Sequence, residues 1–125
     1  MNDTTARRAA HPIGENERVI QGKELLASER LAEFGKLMFD SHASSVNYFE
    51  NSCPELNTIV NAAKNIPGVL GARLSGGGFG GSVVALVHPR DVGTASHAIN
   101  VVYKEKYGHP CDINIITPSA GAALL

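Results

Sequence analysis

The run Val69-Leu70-Gly71-Ala72-Arg73-Leu74-Ser75-Gly76-Gly77-Gly78-Phe79-Gly80-Gly81-Ser82-Val83-Val84-Ala85-Leu86-Val87 decides the fold. From Val69 the hydrophobic period is two, with Leu70, Ala72 and Leu74 on one face and Gly71, Arg73 and Ser75 on the other, as a half-buried strand requires. Val83 to Val87 is a short, β-branched apolar run closed by Pro89, which reads as a central strand. Nearly pure glycine, Gly76 to Gly81, separates the two. The chain has 13 glycines, and seven of them, Gly68, Gly71, Gly76, Gly77, Gly78, Gly80 and Gly81, fall between residues 68 and 81, so function is sought there.

Upstream, the period is helical. Residues 1–14 show no periodicity and read as an irregular lead-in. Asn16 is a good N-cap for a first helix whose apolar stripe is Val19, Ile20 and Leu26. Ser28 caps a second, carrying Leu31, Phe34, Leu37 and Met38 and fading through His42, Ser45 and Phe49. Ser52-Cys53-Pro54-Glu55 has the form of an S-x-x-E capping box, followed by Leu56, Ile59, Val60 and Ala63, and Pro67-Gly68 ends that helix. Downstream, Asp91 caps a fourth helix with Val92, Ala95, Ile99 and Val102, ended at Gly108. Cys111 to Ile116 alternates Ile113 and Ile115 with Asp112 and Asn114, a further strand. The order α-α-α-β-β-α-β predicts an α+β domain, helices packed on one face of a small, mostly antiparallel sheet, with a ferredoxin-like final β-β-α-β.

Gly76, Gly78 and Gly81 formally satisfy G-x-G-x-x-G, but a dinucleotide site needs a helix after the glycines and a strand follows here. No Gly-Lys-Ser/Thr closes a phosphate loop of the Walker kind. The protein-kinase glycine loop fits Gly76 to Val83, yet Val87 stands where its lysine belongs, and H-R-D and D-F-G are absent from the chain. Two readings stay open: a tight strand connection, or a loop whose free amides meet an anion and whose backbone admits close approach. In either, Phe79 is expected to anchor the loop by burial.

Gly71 to Ser82 resembles the third conserved motif of galactokinases, within the GHMP small-molecule kinases. Arg7-Arg8-Ala9-Ala10-His11, Gly14 to Val19, Ser41-His42-Ala43-Ser44, Tyr48 ahead of Ser52 to Leu56, and Pro118 to Ala122 are similar to successive segments of galactokinase C-terminal regions. Ser75 stands where that family often has Thr, and Asn57 where it often has Asp. The resemblance implies a C-terminal domain over residues 15–125, belonging to an enzyme that transfers the γ-phosphate of ATP, with Mg²⁺, to the 1-hydroxyl of galactose. It implies that the sugar-binding segment, the G-x-G-L-S-S-S-A phosphate loop, the catalytic Arg and Asp and the magnesium ligands lie in an N-terminal kinase domain, which is this chain's expected partner. Ser75, Gly76, Gly77, Gly78, Phe79, Gly80 and Gly81 would then support the triphosphate at the interdomain cleft. No catalytic residue and no metal ligand is assigned to this chain, ATP and Mg²⁺ are not expected to bind it tightly, and it is expected to be inactive alone.

The remaining residues attract plainer readings. Arg73 could reach a phosphate or pair with a carboxylate on a neighbouring helix. His42 serves packing or hydrogen bonding, since the five histidines form no ligand set. Glu15, Glu17 and Arg18 form a solvated first turn, and Glu55 belongs to the capping box.

At 125 residues and 13.2 kDa the chain has length for one core, and the formal charge of −1 offers no general attraction to nucleic acid or anionic lipid. No apolar stretch approaches the roughly 20 residues that span a bilayer, and neither a membrane nor a secretory segment is expected. Cys53 and Cys111 lack metal or redox spacing and read as reduced thiols of a cytoplasmic protein. An autonomous regulatory or protein-interaction module of the same fold is the alternative to a kinase domain. An in-frame upstream sequence carrying the missing motifs would separate the two.

Overall fold

The computed structural model describes residues 2–118, 120 and 121. The elements are α1 (Asp3–Ala27), α2 (Leu31–Ser44), a π-helical turn (Ser45–Phe49), α3 (Pro54–Ala63), β1 (Val69–Ser75), β2 (Ser82–Val87), a 3-10 turn (Pro89–Asp91) and α4 (Val92–Tyr107). Helices and one small antiparallel sheet make the α+β class expected.

The first helix departs most from expectation. Of the expected irregular lead-in over residues 1–14, the described part is helical from Asp3 on, because α1 starts there and runs unbroken past residue 15. Asn2 is its N-cap, accepting from the Thr5 amide at 2.8 Å. Pro12 reads as a breaker, yet the helix continues through it because tertiary contacts hold the turns around it. Arg7 and Arg8 both pair with Glu50 at 2.8 Å, Arg8 donates to the Tyr48 carbonyl, and His11 Nδ1 meets Ser44 Oγ at 2.8 Å. The stripe Val19, Ile20 and Leu26 faces solvent, at 69%, 64% and 49% exposure. The packed side of α1 is instead mostly polar and small, with His11, Glu15, Arg18 and the buried Gly22 joined by Leu25.

Two of the expected caps lie elsewhere. Ser28 ends α1, its hydroxyl donating to the Glu24 carbonyl at 2.6 Å, and α2 begins after Arg30. Cys53, not Ser52, is the N-cap of α3, with Pro54 at the first position, and Ser52 Oγ donates to Asn57 Oδ1 at 2.7 Å. Asp91 holds the N-cap position of α4 without a side-chain hydrogen bond, while Gly108 ends α4 in the left-handed conformation as its position predicts.

β1 and β2 pair in antiparallel register from Val69↔Val87 to Ser75↔Ser82. Val60 and Ala63 of α3 pack on Ala72 of β1, flanked by Phe39, Val69 and Val83. Ala95 and Ile99 are the buried side of α4, which lies against α3. β2 is not central: among the described residues the sheet has two strands, and Cys111 to Ile116 is irregular, with Ile115 and Ile116 about three-quarters exposed. The far edge of β1 is occupied by α2. Alternate residues of an antiparallel strand turn their main-chain groups toward or away from the partner strand. The Leu74 amide donates to His42 Nδ1 at 3.1 Å, and the Leu70 carbonyl, at the register irregularity between Val69 and Gly71, abuts Gly35. α2 thus covers the outer edge of β1, while among the described residues no strand pairs with the outer edge of β2.

A candidate glycine loop and the polar network beneath it

The chain leaves β1 at Ser75 and enters β2 at Ser82, so Gly76 to Gly81 is the hairpin connection. Gly76, Gly78 and Gly80 have φ of +75°, +81° and +97°, and Phe79 has +54°. The glycine run is thus demanded by a backbone that repeatedly enters the left-handed region. The loop is tied to one residue outside it: Asn51 accepts from the Phe79 amide at 2.7 Å through its main-chain oxygen and donates from Nδ2 to the Gly77 carbonyl at 3.2 Å. Gly78 lies so close to the Asn51 carbonyl that a Cβ there would overlap it. Phe79 does not anchor the loop by burial; its ring is 74% exposed, because the inward hold on its amide turns the side chain out.

Below the loop, α1, α2, α3 and β1 meet in a connected set of polar groups. His42, 5% exposed, accepts the Leu74 amide at Nδ1 and donates from Nε2 to Asn57 Oδ1 at 2.9 Å, which fixes the neutral ring with its proton on Nε2. Burial holds its pKa below the ordinary imidazole value against the Asn57 hydrogen bond, and Lys64 and Arg73 push the same way as burial. Asn57, noted from sequence for its missing charge, serves as a double acceptor for His42 and Ser52.

Arg73 Nε donates to Ser41 Oγ at 2.9 Å, and its guanidinium lies 3.8 Å from Glu15 Oε2. The carboxylate partner on a neighbouring helix is therefore present. Glu15 also binds Arg18 at 2.6 Å and accepts from Ser41 Oγ at 3.0 Å. Burial alone would raise the Glu15 pKa, but these hydrogen bonds and the nearby Arg18 and Arg73 charges bring it below the ordinary value. Glu15 and Arg18 are thus part-buried members of the network rather than a solvated turn, while Glu17 is exposed. Glu55 is exposed, its carboxylate held low by its own amide and the Cys53 thiol.

The structure brings Ser75 to Gly81 together as one loop and places Arg73 two residues before it, engaged beneath it. The sequence gives no sign of Asn51, and it leaves Glu15 as solvated and Ser41 without a role, where the structure joins both to Arg73. Asn51 carries no local signal, because its role depends on a segment 26 residues away in the chain. Cys53 and Cys111 are free thiols. Among the described residues no group of three or more His, Cys, Asp or Glu could hold a metal, and no helix is long and apolar enough to cross a membrane.

Residues 23–105 match the family model described as GHMP kinases C terminal. The chain belongs to that family. It is similar to the galactokinase of Exiguobacterium sibiricum, 43% identical over 116 residues that cover 93% of this chain and 30% of the relative. The Homo sapiens galactokinase is 40% identical over 119 residues, covering 95% of this chain and 29% of the relative. The crystal structure of Lactococcus lactis galactokinase complexed with galactose superposes with a TM-score of 0.83 at 38% identity, covering 87% of this chain and 28% of that one. The crystal structure of L. major mevalonate kinase in complex with R-mevalonate gives a TM-score of 0.59 at 28% identity, covering 84% of this chain and 33% of that one. This GHMP domain therefore spans about 30% of the length of the curated relatives it matches. Galactokinase-like homology runs through the α1 segment, the Ser41 to Leu56 segment and the glycine loop alike.

Proposed function

We propose that this chain is the C-terminal domain of a sugar kinase of the galactokinase type, which transfers the γ-phosphate of ATP to the 1-hydroxyl of galactose and works in the cytoplasm. It is inactive alone, its partner being an N-terminal kinase domain. Because α1 runs unbroken from Asp3, the domain unit extends from the expected 15–125 back to Asp3. The observation that carries the reading is the glycine loop itself, held on a hairpin by Asn51 with three glycines in the left-handed region.

Phosphoryl transfer asks a protein chiefly for positioning and charge stabilisation. ATP supplies the phosphoryl group. Ser75 to Gly81 fit a supporting role, since a Cβ at Gly76, Gly77 or Gly80 would meet nothing within 4 Å and a phosphate or a second loop can approach the backbone there. Arg73 adds positive charge beneath the loop. As the resemblance to galactokinases implies, Mg²⁺ is assigned to the partner domain together with the nucleotide.

Titration calorimetry with Mg-ATP and a coupled phosphorylation assay across a panel of sugars test this. The chain alone should show neither tight nucleotide binding nor turnover, and joining it to a galactokinase N-terminal domain should produce turnover with galactose. Turnover by the chain alone would overturn the split site, and good activity on another sugar with poor activity on galactose would overturn the substrate.

A further inference from the structure

Asn51 lies between the π-helical turn and α3, outside any helix, yet it is only 6% exposed. Its polar atoms are divided unevenly. The main-chain oxygen and Nδ2 hold the Phe79 amide and the Gly77 carbonyl, while Oδ1 is buried without a hydrogen-bond partner. The amide cannot be turned over to relieve this, because Oδ1 would then face the Gly77 carbonyl oxygen. A buried, unpartnered oxygen destabilises a fold, and an apolar side chain would fill this place without that penalty. What the asparagine supplies is a second hold on the glycine loop, one residue on either side of Gly78.

The loop needs such a hold. Phe79 sits at φ +54°, a conformation that a residue with a Cβ adopts only under constraint. We infer that Asn51 is a positioning residue for the glycine loop, fixing the Gly77 and Phe79 peptides so that the Phe79 ring and the unpaired glycine backbone face outward. Its consequence for phosphoryl transfer rests on the kinase reading above. Global stability gains little from the arrangement; loop geometry gains most.

The chain contains no Trp, so Phe79→Trp introduces a single fluorescent reporter at the loop. In that background and in the natural chain, Asn51→Ala should speed hydrogen exchange of the residue-79 amide by about five- to tenfold, the effect of one lost hydrogen bond. Reporter anisotropy should fall while the urea midpoint stays level or rises, since the orphaned oxygen is gone. Asn51→Asp keeps the shape but sets an oxygen against Gly77, and should loosen the loop at least as much. Unchanged exchange and anisotropy in both variants, or changes that merely follow a fall in global stability, would overturn the inference. No nucleotide enters these measurements, so their outcome is separate from that of the kinase assays.

Discussion

Gly35 on α2 and Gly71 on β1 lie backbone against backbone. A methyl group on Gly35 would overlap the Leu70 carbonyl, and one on Gly71 would overlap the Gly35 carbonyl. This contact, with the His42 to Leu74 hydrogen bond further along, lets a helix seal the strand edge that leads into the glycine loop.

Gly35→Ala and Gly71→Ala should each destabilise the chain by about 2–4 kcal/mol, because neither neighbour is a flexible side chain that can move aside. Gly93→Ala, early in α4 with open space around it, should instead stabilise by about 0.5–1 kcal/mol. Urea unfolding of the three variants checks both signs.

Ser45 is fully buried in the π-helical turn, and its hydroxyl has no partner. Ser45→Ala removes that unmet group and should be neutral or stabilising by up to about 1 kcal/mol. A fall in urea midpoint beyond that of a surface control would show that the hydroxyl is satisfied in solution.

Stability should decline below neutral pH. Burial holds His42 and His11 below the ordinary imidazole value of 6.5. The unfolded chain therefore takes up more protons as pH drops through 6.5, and stability is full above that value and lost below it. Glu15, Glu50 and Glu55 lie below their ordinary 4.5, which adds a second loss as pH falls through that range. Urea midpoints between pH 8 and 5 should fall most from 7 to 5. Asn57→Asp sets a carboxylate against His42 Nε2, raises the folded-state pKa, and should flatten that fall.

Gly78→Ala meets both a left-handed backbone and the Asn51 carbonyl. It should displace the loop, seen as amide shifts at residues 76–81 and 51 in NMR spectra, at a modest cost in global stability because the loop lies outside the core. Spectra unchanged at Asn51 would contradict the contact.

Sequence alone determined what local chemistry controls. The two-residue period of β1, the apolar 3-4 spacing of Leu56, Val60 and Ala63, and the glycine at 108 each encode their element directly, and the hairpin with its glycine connection follows from them. The ordered likeness of the segments around it was enough to point to the galactokinase C-terminal region. Tertiary structure alone decided the rest. Pro12 stays helical because Arg7, Arg8 and His11 are held by Tyr48, Glu50 and Ser44, far away in sequence. Cys111 to Ile116 has a strand's alternation but no strand, since a strand also needs a partner and, among the described residues, β1 and β2 pair only with each other. Phe79 faces out and Asn51 lies in, the reverse of what their polarity suggests, because two hydrogen bonds between Asn51 and the distant Gly77 and Phe79 peptides set the loop's direction. Hydrophobicity and spacing are properties of a segment, whereas an edge, a buried partner or an orphaned oxygen exists only between segments.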